Sequence, residues 1–216
     1  DLLILCNPNN PTSSAIRNTD MKHILTFCKE RGIFVMIDET YVEFAPDVSE
    51  ITSIPLTDEF DNLMVIRGVS KFYAAPGLRF GYGITSNHDF LEALLIHQNP
   101  WSVNSVAAYA GEHMFKDSAY QQATRKLICS ERDRMYEAIQ NMPNFKAYNP
   151  YANFILVRIL KEGLSSFDVF EAAIKEHMMI RDCSSFKSLD GEYIRFCIMN
   201  PEDNTHLLNL LEQFNA

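Results

Sequence analysis

Three short apolar runs, LLILC at 2–6, IFVMI at 33–37 and LMVI at 63–66, each end in a cluster of turn-forming or ionisable residues. Runs of this length without polar alternation are the pattern of strands buried on both faces, and such strands belong to mostly parallel sheets covered by helices. A parallel pair needs a crossover, and the sequence supplies one. Met21, Ile24, Leu25 and Cys28 recur at i, i+3, i+4 and i+7, with Thr19 or Asp20 as N-cap and Gly32 at the stop, so the spacing predicts an amphipathic helix over 20–31. RFGYGI at 79–84 is a candidate further strand. The N-terminal half therefore reads as α/β, a mostly parallel sheet with helices on both faces.

From about 89 to 142 the pattern turns helical, interrupted at Pro100 and closed by Pro143. Residues 118–141 carry Leu127, Ile128, Tyr136 and Ile139 among charges, and predict a long, partly exposed interdomain helix. Beyond it, NFILVRI at 153–159, a segment around 178–181 and YIRFCIM at 193–199 read as strands, with helices near 166–177 and 202–214, which makes a small α+β domain. The expected division is 1–117, an interdomain helix at 118–142, and 143–216. The chain is already inside an apolar strand by residue 2, which predicts that further N-terminal residues complete its sheet.

With 47% hydrophobic and 22% charged residues the chain has a globular composition. Its formal charge of −9 argues against a general affinity for nucleic acid or an anionic membrane, so any phosphate site must be a local pocket. No apolar run approaches the roughly 18 residues that span a bilayer, and a cytoplasmic protein is expected. Five scattered cysteines without a CxxC pair, and six dispersed histidines outside any HExxH frame, predict reduced thiols and no metal site.

Open α/β sheets bind ligands beyond the C-terminal ends of their strands. Here those ends hold Asn7 to Thr12, then Asp38, Glu39 and Tyr41, then Arg67 to Lys71. Each alone has a structural explanation, since Asn-Pro pairs make turns, an Asp after a strand caps a turn, and a loop Lys is solvated. The combination is more specific. NPNNPT at 7–12, DETY at 38–41 and SKFYAAPGLRFGY at 70–82, in that order, resemble the aminotransferase-like, pyridoxal-phosphate-dependent enzymes of fold type I.

That resemblance implies a partial transferase-like large domain followed by a small C-terminal α+β domain, with pyridoxal 5'-phosphate as cofactor. Lys71 becomes the lysine that holds the cofactor as a Schiff base, and its amine calls for a partly desolvated, cation-rich pocket. Asp38 would stand beside the pyridine nitrogen, where a carboxylate favours the protonated ring. Asn10 and Tyr41 would donate to the phenolic oxygen, and Ser70 and Arg79 would hold the phosphate. Relatives commonly carry Ser or Thr three residues before the lysine, where this chain has Gly68. The family's glycine-containing phosphate loop and ring-stacking aromatic residue lie upstream of the Asn-Pro turn, outside this sequence.

In the small domain, Arg195 matches the family's clamp for the substrate α-carboxylate, and Arg181 is a candidate for a second anionic group. Likeness over 99–112, 117–123 and 180–196 points, within the family, to enzymes acting on a phosphorylated amino acid or amine. Decarboxylation is expected ahead of amino transfer to 2-oxoglutarate, and a non-enzymatic effector domain of a regulator is the alternative of another class. Family members are usually dimers, so a homodimer is expected.

Overall fold

The computed structural model describes residues 1–215. The chain folds as two units, residues 1–9 with 15–123, and residues 10–14 with 124–216.

The first unit is built on a four-stranded sheet in the order β1-β2-β3-β4. β1 (Leu2–Cys6), β2 (Phe34–Asp38) and β3 (Leu63–Gly68) run parallel, and β4 (Gly81–Ile84) returns antiparallel to β3. α1 (Asn18–Lys29) crosses over from β1 to β2 and buries Met21, Leu25 and Cys28 against Val35, Ile37, Leu63 and Val65. Each fully buried aliphatic side chain in that layer contributes about 1.5–3 kcal/mol. The opposite face receives α2 (His88–His97), whose Phe90 ring lies 4.6 Å from Phe34, so helices stand on both faces, while Leu2 and Ile4 of β1, in register with Phe34 and Met36, remain more than half exposed there. α1 starts earlier than the N-cap signals imply. The side chain of Asn18 donates to the Ser49 carbonyl at 2.8 Å, and Met21 N–H bonds back to Arg17, which draws Thr19 and Asp20 into the first turn. Asp20 there complements the helix dipole.

Three short 3-10 turns at Val42–Phe44, Val48–Glu50 and Ile54–Asp58 connect β2 to β3. α3 (Ser105–Met114) follows, capped by the Asn104 side chain, and then α4 (Ser118–Gln140), whose 23 residues contribute to both units. Among the described residues no helix is long and apolar enough to cross a membrane.

The second unit carries an antiparallel sheet in the order β5-β6-β8-β7: β5 (Phe145–Ala147), β6 (Phe154–Ile159), β7 (Arg181–Asp182) and β8 (Tyr193–Cys197). α5 (Ser166–Lys175) opens with a reciprocal Ser165–Asp168 capping box, and α6 (Pro201–Glu212) is capped by Asn200. β7 is shorter and later than the apolar run at 178–181 implies. His177 takes a left-handed φ of 60° and Met178 N–H closes back on Ala173 at 2.8 Å, so 177–180 is spent ending α5. β5 has no signal of its own in three residues.

Candidate active site

The first unit gathers five of the expected residues around the strand ends. Asp38 is the last residue of β2 and lies in register between Cys6 of β1 and Ile66 of β3. Its Oδ1 accepts from the Thr40 backbone N–H at 2.9 Å and from Thr40 Oγ1 at 2.5 Å, while among the described residues Oδ2 accepts no hydrogen bond. The carboxylate borders a cleft of about 410 Å³ that Thr40, Ile66, Arg67, Gly68 and the β4 residues 81–83 also line. β4 presents only the hydrogens of Gly81 and Gly83 on the side of Asp38, and a Cβ at Gly81 would stand 2.8 Å from the Arg67 carbonyl oxygen. Burial raises the Tyr82 phenol above its ordinary value, against the pull of Arg67, so its hydroxyl stays protonated at neutral pH.

Tyr41, half-buried, begins the turn after β2, and its carbonyl accepts from Phe44 N–H. Ser70 and Lys71 follow β3. Lys71 projects between two fully buried neighbours, Val69 and Phe72; the Phe72 ring packs on Phe44, and its carbonyl accepts from the Tyr120 hydroxyl at 2.9 Å. That anchoring turns the Lys71 side chain outward, where it is exposed rather than desolvated as the amine chemistry requires. The segment after it is rich in small residues, Ala74, Ala75 and Gly77. Arg79 closes the loop in a left-handed conformation, φ 52°, and donates to the Pro76 carbonyl at 3.0 Å. Among the described residues, neither Arg79 nor Lys71 forms an ion pair, and the Ser70 hydroxyl has no partner.

Behind this row lies a network that sequence reasoning passed over. Glu39, fully buried, accepts from Ser53 N–H at 2.5 Å, Thr52 Oγ1 at 2.9 Å, and Arg67 Nε and Nη2 at 3.1 and 2.8 Å. Burial alone would lower the Arg67 pKa, but the carboxylates of Glu39 and Glu43 outweigh it and hold it above its ordinary value. This pair ties the end of β2 to the end of β3. Asn7 does the same for β1: its side chain donates to the Ile16 and Ile51 carbonyls, each at 3.0 Å, and accepts from Ile16 N–H at 2.8 Å. The available signal was the placement of Glu39 and Arg67 at the ends of apolar runs, where a charge demands a partner.

The remaining three residues belong to the second unit. Arg195 of β8 donates to Asn10 Oδ1, and its guanidinium lies 5.0 Å from the Phe154 ring centroid. Arg181 of β7 stands directly opposite Arg195 in register and donates to Ser185 Oγ at 2.9 Å. Both line a groove of about 900 Å³ with Ser184, Ser185, Phe167 and Met199. Neither forms an ion pair among the described residues. The carboxylates on that groove are engaged elsewhere: Asp182 accepts from Ser166, Ser184 N–H and Ser184 Oγ, and Asp203 from Asn200. Burial pushes the Cys183 thiol up to about 11, against the two guanidinium groups, so it too stays neutral.

The model for the aminotransferase class I and II family matches residues 1–211, and the chain belongs to that family. It is 36% identical to the threonine-phosphate decarboxylase of Salmonella typhimurium over 211 residues, 98% of this chain and 57% of that protein. The crystal structure of the histidinol-phosphate aminotransferase from Clostridium acetobutylicum superposes with a TM-score of 0.93 at 33% identity, covering 100% of this chain and 64% of that one. That of the L-threonine-O-3-phosphate decarboxylase from Porphyromonas gingivalis gives 0.86 at 26% identity, covering 99% and 64%. The chain thus spans little more than half the length of the curated relatives it matches. The family is pyridoxal-phosphate-dependent. The residues of the first unit fit that group: an unpaired cation and a free hydroxyl for a phosphate, an uncommitted primary amine, and a carboxylate with one oxygen unspent.

Proposed function

We propose that the whole protein is a pyridoxal-phosphate enzyme that decarboxylates a phosphorylated amino acid, threonine phosphate being the substrate, in cobalamin biosynthesis. When bound, the cofactor supplies an electron-withdrawing ring conjugated to the substrate nitrogen. Lys71 would be its covalent anchor, Asp38 would accept from its ring N–H, Asn10 and Tyr41 would donate to its phenolic oxygen, and Ser70 and Arg79 would hold its phosphate. In the decarboxylation the Cα–carboxylate bond breaks, CO2 leaves, and a proton delivered to Cα completes the amine phosphate; the Lys71 amine is the group that moves this proton.

The observation that carries the reading is the pair Arg181–Arg195, two arginines opposite one another in the strand register that line one groove, neither in an ion pair among the described residues. Like charges so placed repel, and a ligand with two anionic groups relieves the repulsion. Threonine phosphate carries a carboxylate and a phosphate at once. Arg195 takes the carboxylate and Arg181 the phosphate. A second reading, amino transfer from histidinol phosphate to 2-oxoglutarate, draws on the likeness to the Clostridium acetobutylicum enzyme. The whole protein is read as a cytoplasmic homodimer.

The test uses the whole protein, with any residues that precede residue 1, supplied with cofactor and either phosphate. Release of CO2 from threonine phosphate without a keto acid is expected. Strict dependence on 2-oxoglutarate would overturn decarboxylation in favour of amino transfer. Lys71→Ala should lose the visible absorbance of the bound cofactor, and its persistence would sink the anchor assignment.

A further inference from the structure

We infer that Ser185 is a specificity-determining residue of the second unit's groove, completing with Arg181 a subsite that selects a phosphate monoester over a carboxylate. The inference rests on the reading that this groove takes the substrate's anionic groups.

Backbone bonds hold the turn after β7. Cys183 N–H donates to the Tyr193 carbonyl at 3.0 Å and Phe186 N–H to the Cys183 carbonyl at 3.0 Å, which fixes the backbone that presents two adjacent serines. Their hydroxyls are used differently. Ser184 Oγ donates its proton to Asp182 Oδ2 at 2.9 Å, and a hydroxyl has only one proton to give. Ser185 Oγ instead accepts from Arg181 Nη2 at 2.9 Å. Its own proton is therefore unspent, and it sits on the groove beside a guanidinium without a carboxylate partner. A cation and a neutral donor, already hydrogen-bonded to each other, are thus presented together.

The chemistry of the two anions decides what such a pair prefers. A carboxylate has two oxygens, and one bidentate guanidinium satisfies both. A phosphate monoester has three terminal oxygens and up to two negative charges, so a guanidinium leaves at least one oxygen to be met by another donor. Ser185 supplies that donor without adding a further charge beside Arg195. Arg195, whose guanidinium already donates to Asn10, hydrogen-bonds to no hydroxyl among the described residues and suits the carboxylate.

The experiment measures, in cofactor-loaded whole protein, the KM for O-phospho-L-threonine in CO2 release and the inhibition constant against it of L-glutamate, which has a carboxylate in place of the phosphate. Ser185→Ala should weaken phosphothreonine roughly tenfold, the worth of one hydrogen bond to a charged group, and leave glutamate within about twofold. Ser185→Thr, which keeps the hydroxyl, should restore phosphothreonine affinity to within about twofold. Equal losses for both ligands, no loss for either, or a loss that Thr does not repair would overturn the role of Ser185. Arg181→Ala separates this from the parent reading, because it should weaken phosphothreonine more than Ser185→Ala does. If Arg181→Ala leaves both affinities unchanged, the groove is not the anion site, and the reading and the inference fall together.

Discussion

Arg67 in the first unit and Arg181 with Arg195 in the second are all strand arginines, yet their surroundings are opposite. Arg67, 13% exposed, is held by the fully buried Glu39 through two hydrogen bonds, with Glu43 3.5 Å away. Arg181 and Arg195 stand opposite one another in register, with a hydroxyl and an amide oxygen as hydrogen-bond partners and no ion pair among the described residues. A guanidinium whose charge is met inside the protein is a structural tie, because nothing is left for a ligand to neutralise. A guanidinium left uncompensated costs stability in repulsion and desolvation, and recovers it when an anion binds. The same residue type thus marks the scaffold in one unit and the proposed binding surface in the other.

The largest effect should come from breaking the internal pair. Glu39→Ala strands Arg67 among buried groups and should cost about 3 kcal/mol in urea unfolding, whereas Arg181→Ala should stay within about 0.5 kcal/mol. Equal costs would erase the distinction between the two kinds of arginine. Next comes Arg195→Ala, expected to raise the KM for phosphothreonine in CO2 release by roughly tenfold to a hundredfold while leaving the unfolding midpoint nearly unmoved.

A smaller effect tests a third pattern, a buried carboxylate paired with a partly exposed guanidinium. Glu131 accepts from Arg134 Nε and Nη2 at 3.0 and 2.7 Å and from Asn204 Nδ2 at 2.8 Å, and these bonds, led by Arg134, hold its carboxyl below the ordinary value despite opposing burial. A lowered folded pKa gives stability that is present above the unfolded value of about 4.3 and lost as pH falls through the folded one. Glu131→Gln should therefore be about 1 kcal/mol less stable than the parent at pH 7, with the gap closing in strong acid; a gap that persists there would refute the electrostatic account. The smallest change expected is at Gly68. A Cβ there meets only the Phe80 carbonyl oxygen at 3.6 Å and Ser70 Oγ at 3.9 Å, ordinary contacts. Gly68→Ser should fold with a midpoint change under about 0.5 kcal/mol and bind cofactor a few-fold more tightly, as read by equilibrium dialysis.

The parallel strands and crossover helix were legible because an unbroken apolar run and an i, i+3, i+4, i+7 spacing are both properties of a short stretch of sequence. The candidate cofactor residues stood out by their order and spacing around Asp38, Lys71 and Arg79. The ties made by Glu39, Arg67 and Asn7 did not, since the partners Ser53, Thr52, Ile51 and Ile16 are joined to them only by the path of the chain between strands. Ser185 was hidden for a subtler reason. Ser184 and Ser185 are the same residue in the same turn, and only hydrogen-bond direction separates them.

By itself, the sequence determined the strand and helix periods, the family, and which cations and carboxylates stand at the strand ends, because those depend on side-chain identity and spacing along one chain. The tertiary structure decided which charges are cancelled and which remain. Cancellation is a matter of distance between residues far apart in sequence, 28 positions for Glu39 and Arg67 and 185 for Asn10 and Arg195. No local pattern encodes that distance.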